Sequence, residues 1–545
     1  MKSNNSIRYF LIFVGAGIYQ WAFWHETPGL NISIFTVFII PALMFLYPES
    51  LKKIPYWLVL TGLLSTSVAI VIHASLFATI MYVISMILLV GFTHWSLTKS
   101  LVYAIPESIS TLVLSPYTFF AIKSNVETSN NKNSAILKWF KLIIIPVVIL
   151  IIFFIIFYNA SDKFAEYSDK ILIPIQNFIY DLFGNITFAS IFFFVHGILL
   201  ITWILIRNKN TNLSNAENNQ NVNIVRNKVH IKRRFQFLAL KREYLSSLIL
   251  LVLINLLVLA ANIVDIVFIW FGFEFKEGMN LKQFVHEGTY LLILSILLSM
   301  GILLYIFRKN QNFYSKGKIL KVLSFAWIFQ NLILAISVGV RNYHYMEYYG
   351  LAYKRIGVCI FLILVFFGLI TFFIKIMKKK SSYFLLKFNS WAMYIVLTIS
   401  SLFSWDTIIT KYNITHCKEL DYEFLVHMST KALPFVDINK LSTDLSYKNP
   451  WVISSNYNYD YFYVFSMRNY YVKQVFNFLY DWETDKFLSW SYYDKLAYQN
   501  FMSNPELVKS YKIYKDYRIK KNQIENGNKN SVQNRTTVLH SDESR

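Results

Sequence analysis

Only two cysteines occur in 545 residues, and charged residues make up only 15% of the chain. Cys359 lies inside an apolar run and Cys417 in a polar segment, so an intrachain disulfide is not expected and no cysteine-based metal site can be assembled. The sequence also lacks an ATP-binding loop, a metal-ligand cluster and a nucleophile elbow. No catalytic residue, metal or cofactor is therefore assigned. Acidic residues are scarce as well, 31 against 53 Lys and Arg, which leaves a net charge of +22. Such an excess suits nucleic acid when it is gathered on one face with a binding motif. Here it is spread over short segments between apolar runs, so no nucleic-acid partner is expected and anionic lipid is the better match.

What the chain has in abundance is apolar length. With 55% hydrophobic residues, 18% aromatics and a positive mean hydropathy, it cannot hide most of its apolar area in a water-soluble globule. The expected fold class is all-α: a polytopic helical membrane protein with about eleven transmembrane helices. The runs are 10–24, 30–46, 56–72, 76–92, 142–158, 186–206, 244–270, 289–307, 320–340, 356–377 and 383–403. The segment 101–122 is long enough to cross but holds Pro106, Glu107 and Pro116. If it crossed, every later loop would violate the charge rule, so it reads as interfacial or re-entrant. Residues 159–170 read as a nearly neutral loop, and 171–183, interrupted by Pro174, as a segment at the outer surface.

Lysine and arginine set the side. The basic start Met1–Arg8, Lys52-Lys53, Lys99, the segment 207–243, the loop 308–318 and Lys375–Lys380 all fall on one face, the cytoplasmic one. Aromatics at Tyr19, Trp21 and Trp24 stand where small cleavage-site residues would be needed, so the first run is expected to stay as an uncleaved span. The resulting organisation is an N-terminal membrane half (1–206), a basic cytoplasmic linker (207–243), a C-terminal membrane half (244–403), an extracytoplasmic helical tail (404–522) and a disordered end (523–545). The Asn-rich first half of the linker reads as disordered, and its basic second half as a helix on anionic headgroups. The tail is dense in tyrosine, including Tyr457, Tyr459, Tyr470, Tyr471, Tyr480 and Tyr492, which favours sites with one wet and one apolar side.

Polar groups within apolar runs are costly unless they face protein or water. Asn262 and Asp265 lie three apart on one helix face. They read either as a proton- or cation-responsive carboxylate with its amide neighbour, or as an interhelical anchor. Gln330 and Asn331 read as interhelical hydrogen-bonders. His286-Glu287 precedes a span; the fourth residue after His286 is Tyr290, so the zinc-protease pattern is absent, and the pair reads as a pH sensor or as an interfacial helix start. The outer loop 341–355 carries Arg341, Tyr345, Tyr349 and Arg355, with Gly350 suited to a helix C-cap. This arginine–tyrosine surface is a candidate binder of an anionic headgroup or glycan, or else a contact with Glu274, Glu277 or the tail.

Several strings together resemble a bacterial membrane family, domain of unknown function 4153, and its sibling 4173. They are Pro28-Gly29-Leu30-Asn31, Phe284–Thr289, Arg341-Asn342 with Tyr349–Gly357, Lys411–Ile414, and Ala432-Leu433-Pro434. Ala352 stands where many members have threonine, and Asp406 where an Asn-Pro pair is frequent. The resemblance implies a bacterial inner-membrane protein with an outward-facing tail and carries no activity with it. Three function classes follow. The first is a non-enzymatic envelope sensor or scaffold that binds an envelope protein, glycan or anionic headgroup. The second is a secondary transporter of a small solute. The third is a lipid- or glycan-modifying enzyme using Asp265, His286, Glu287 and Arg341. The first is the expectation adopted.

Overall fold

The computed structural model describes residues 5–95, 97–124, 150, 153–154, 156–183, 187–207, 212–225, 235–272, 281–417, 420–441, 467–484 and 487–521. These residues are helical, with no strand among them. The only non-helical pairing they show is an isolated antiparallel bridge between Asn223 and Lys380. The chain divides into two units, Met1–Tyr345 with Lys354–Phe403, and Met346–Tyr353 with Ser404–Arg545.

In the first unit, α1 (Asn5–Phe23), α2 (Leu30–Leu46), α3 (Ile54–His73), α4 (Leu76–His94) and α8 (Phe188–Leu205) build one apolar core around Ile39, Leu43, Leu63, Leu89 and Ile201. Backbones approach closely where side chains are small: a Cβ on Gly91 of α4 would strike the carbonyl of Ala104 on α5 (Leu101–Val113). In chain order α6 (Ser115–Ser124) and α7 (Asp162–Phe183) come between α5 and α8. A second core gathers Leu251, Ile296, Leu303, Trp327, Leu369, Phe372 and Phe384 from α10 (Phe235–Asp265), α11 (Leu281–Ile306), α12 (Lys318–Tyr349), α13 (Tyr353–Lys378) and α14 (Ser382–Ser400). A five-residue π-helical segment, Ile266–Trp270, continues α10.

Six helices are long and apolar enough to cross a bilayer: α3, α4, α8, Leu240–Trp270, α12 and α13. A seventh is reached if α14 is taken together with the following helix, α15 (Trp405–His416). Eleven spans are thus not reached among the described residues, for identifiable reasons. α1 is interrupted by Arg8 and Gln20; α2 has 17 residues, and the apolar part of α11, Tyr290–Ile306, is equally short. Run 142–158 lies largely outside the described residues. α5, from the segment 101–122 that is not one of the eleven runs, is at 13 residues or about 20 Å shorter than the ~30 Å hydrocarbon core.

Three local expectations also give way. Residues 162–183, read as a loop plus a surface segment, form one helix with Pro174 inside it. The Asn-rich start of the linker is ordered over 212–225: α9 (Asn212–Asn218) packs on α5, and the strip after it accepts Ser381 N–H at Val222 and donates Ile224 N–H to Lys379. Finally, 341–349 is not a loop but the last turns of α12, whose 32 residues extend about 48 Å.

The second unit has a core of its own. α16 (Tyr422–Val426), α17 (Met467–Thr484), α18 (Tyr492–Met502) and the helix 505–521 bury Val426, Leu433, Tyr471, Phe476, Leu479, Phe501 and Tyr511. Tyr457 and Tyr459 lie outside the described residues, as does the end expected to be disordered, 523–545.

Candidate functional site

The apolar sequence of α10 breaks at Asn255, Asn262 and Asp265, and all three side chains turn toward α12. Asn255 donates to the Leu323 carbonyl at 3.2 Å and accepts from Gln330 Nε2 at 3.0 Å. Asn262 donates to the Gln330 carbonyl at 3.2 Å. Asp265 accepts from Arg341 Nη2 at 2.5 Å, and both side chains are 10% exposed. Trp270, at the end of the π-helical segment, donates to Ser337 at 3.0 Å. Asp265 and Arg341, which the sequence offers as separate candidates, are therefore one buried ion pair. Burying two charges costs several kcal/mol each, by order of magnitude, and is offset only by close, hydrogen-bonded geometry. The second carboxylate oxygen, Oδ2, is buried and accepts no hydrogen bond among the described residues.

One turn beyond, Arg355 lays its guanidinium over the Tyr345 ring at 4.1 Å, while Asn342 donates to the Arg355 carbonyl at 3.0 Å and to Cys359 Sγ at 3.2 Å. Arg341, Tyr345 and Arg355 thus gather where α12 ends and α13 begins, with Tyr345 buried. Tyr349 belongs to the second unit and is 48% exposed. His286 and Glu287 lie on α11, and their side chains are outside the described residues.

Sequence reasoning missed a second constellation. Glu107 on α5 and Glu217 on α9 are both 2% exposed. Glu217 accepts from Tyr383 OH at 2.6 Å and from Lys99 N–H at 2.8 Å; Glu107 accepts from Thr98 at 2.7 Å. Burial first, and then the Glu217 charge, push the Glu107 carboxyl up to about 7, although the Thr98 hydrogen bond works against them. The available signal was thin: Ser214 and Glu217 stand three apart, giving α9 one buried stripe within an otherwise polar segment.

The strings that carry the resemblance sort into braces. Asn31, fully buried, accepts from Gly29 and Ile32 N–H and donates to the Ala22 and Thr27 carbonyls, which fixes the turn between α1 and α2. Asn413 accepts from Leu351 N–H at 2.6 Å and returns a bond to the Leu351 carbonyl at 3.0 Å, beside Gly350 at φ +74°. Each asparagine pairs with backbone where the chain turns, a structural use of the amide. Among the described residues no group of three or more His, Cys, Asp or Glu side chains is placed to hold a metal ion.

No curated protein and no solved structure matches the chain. Residues 30–437 match the family model described as Domain of unknown function (DUF4153), and the chain belongs to that family.

Proposed function

We propose that this membrane protein of the DUF4153 family is a non-enzymatic sensor or scaffold of the bacterial envelope. It is a multi-pass protein of the cytoplasmic (inner) membrane, with its N-terminus cytoplasmic and its tail extracytoplasmic. The tail unit and the outer end of α12 engage an envelope protein, a glycan or an anionic headgroup, and the basic linker meets anionic lipid on the opposite side. The observation that carries this reading is the tail's own packed core, together with the large apolar and aromatic groups it leaves outside, Phe487 at 73% and Tyr492 at 47% exposure. A module that closes its own core and still presents aromatics has surface to spare for recognition.

Two measurements test it. A reporter fused after Arg545 should be active outside the cytoplasm; a cytosolic reporter would overturn the reading. Photo-crosslinkers at Tyr349 and Tyr492 should each yield the same discrete envelope adduct, lost on Phe487→Ser in a protein that still folds. Adducts that vary at random, or none, would count against a tail partner.

One feature favours transport as the second reading: the buried Asp265–Arg341 pair sits directly before a π-helical segment, a distortion often found at functional sites. Solute flux into liposomes that is abolished by Asp265→Asn would establish it.

A further inference from the structure

Four helix ends converge on a cavity of 310 Å³, bordered by Arg8 of α1, Leu46 and Tyr47 at the end of α2, Glu49, Thr93 in the last turn of α4, and Arg207 just past α8. The volume is at the small end of the range for ligand sites, room for a phosphate group and part of its ester substituent. Tyr47 fixes the wall, donating to the Leu205 carbonyl at 3.0 Å and accepting from Arg207 N–H at 2.9 Å. Glu49 shares the rim, and Arg207 also acts electrostatically on the Glu107 carboxyl. Arg8 Nε is shut away from solvent and has no hydrogen-bond partner among the described residues.

We propose that this cavity binds a phosphate anion, with Arg8 and Arg207 as its two arms. A guanidinium offers paired donors matched to phosphate oxygens, and two of them facing one cavity provide more positive charge than Glu49 cancels. The lining residues Tyr47 to Glu49 and Arg207 adjoin Lys52-Lys53 and the basic linker in the sequence, on the basic face of the molecule, and pockets of this kind between helices suit the headgroup of an anionic phospholipid. The same chemistry would also take a soluble phosphate. The competing role for the arginines is to answer the carbonyl ends of α2, α4 and α8. That role predicts lost stability with anion binding unchanged. The proposal does not depend on the tail partner; only its lipid arm uses the cytoplasmic placement of this face.

The test uses the full chain purified in detergent. Retention of phosphatidylglycerol against phosphatidylcholine is read by native mass spectrometry, and stabilisation by inorganic phosphate by thermal shift. Arg8→Gln and Arg207→Gln should each weaken phosphatidylglycerol retention about tenfold. Glu49→Gln should strengthen it about threefold, and Lys52→Gln, on the same connection but outside the cavity, should leave it unchanged. Stabilisation by inorganic phosphate that the same arginine substitutions abolish, without selective lipid retention, identifies the ligand as a soluble phosphate and supports the site. Binding of both probes within about twofold of the parent in the arginine variants overturns the proposal. So does a loss as large in Lys52→Gln. If the arginine variants do not fold, an absent gain in Glu49→Gln overturns it.

Discussion

The two cores of the membrane unit are stitched in different ways. Between α2, α3, α4 and α14 the polar links are hydroxyls: Ser33 to Ser67 at 2.8 Å, Thr36 to Tyr82 at 2.7 Å, Ser85 to Tyr394 at 2.9 Å. Between α10 and α12 they are amides and one ion pair, Asn255–Gln330, Asn262 to the Gln330 carbonyl, and Asp265–Arg341. A lone hydroxyl in an apolar helix can fall back on the carbonyl one turn earlier, as Thr36 and Ser85 both do. A buried guanidinium that loses its carboxylate keeps a full charge, which a hydroxyl never carries. The first core therefore tolerates loss of a link better than the charged end of the second.

The widest gap should open at that pair. Asp265→Ala removes the carboxylate that faces a buried guanidinium, and unfolding in detergent should show a loss of about 3–5 kcal/mol. Asp265→Leu with Arg341→Leu should recover most of it, because apolar groups of similar volume replace the pair without a stranded charge. A double variant as unstable as the single one would show that the pair is more than packing.

The tail provides a milder contrast, since its central acid sits among tyrosines at the edge of water. Glu483 accepts from Lys515 at 2.6 Å, Tyr511 at 3.1 Å and Tyr498 at 3.2 Å. Burial opposes its ionisation, but these donors outweigh burial and hold the carboxyl below its ordinary 4.5. The stabilisation is thus present above about pH 4.5 and fades as the pH falls. Burial first, and then the Glu483 charge, push the Tyr511 hydroxyl up, so that contribution is complete below pH 10 and fades above it. Glu483→Gln should cost the tail about 1–2 kcal/mol at pH 7 and flatten the acid side of its stability profile, read by near-ultraviolet circular dichroism.

A smaller effect belongs to the linker helix. With Glu107 at about 7 rather than 4.5, docking of α9 gains fully below about pH 4.5 and loses that gain as pH rises through 7. Hydrogen exchange of residues 212–218, corrected for intrinsic rates, should show protection on the order of tenfold greater at pH 5.5 than at pH 8.5. Glu107→Gln should remove the difference. Smallest of all, Tyr82→Phe should cost about 0.6 kcal/mol, because Thr36 keeps its bond to Ile32.

Much of the helical layout was legible because it rests on local rules. Apolar runs long enough to cross gave α3, α4, α8, α12 and α13, and a glycine after Tyr349 marked the end of α12, where the backbone turns to φ +74°. The shared face of Asn262 and Asp265 followed from their spacing alone. What spacing does not contain is the partner: Asp265 and Arg341 are 76 positions apart, and only tertiary packing joins them. Composition misled in two places for one reason. Arg341–Tyr349 and Asn212–Asn218 are polar enough to look like loops, yet a helix needs only one buried stripe, and Asn342 with Tyr345, or Ser214 with Glu217, provides it.

The small helix α9 and the strip that follows it bridge segments from both sides of the linker: Glu217 meets Lys99 on one side and Tyr383 on the other, and Val222 to Ile224 run beside Lys379 to Ser381. The connector is in effect a clasp. Severing the polypeptide between 226 and 234 leaves the clasp on the leading fragment, from which it can still recruit the trailing one. A cut at 208–211 hands it to the other piece. Co-expressed halves should reassemble after either break, and should fail when 212–225 is deleted.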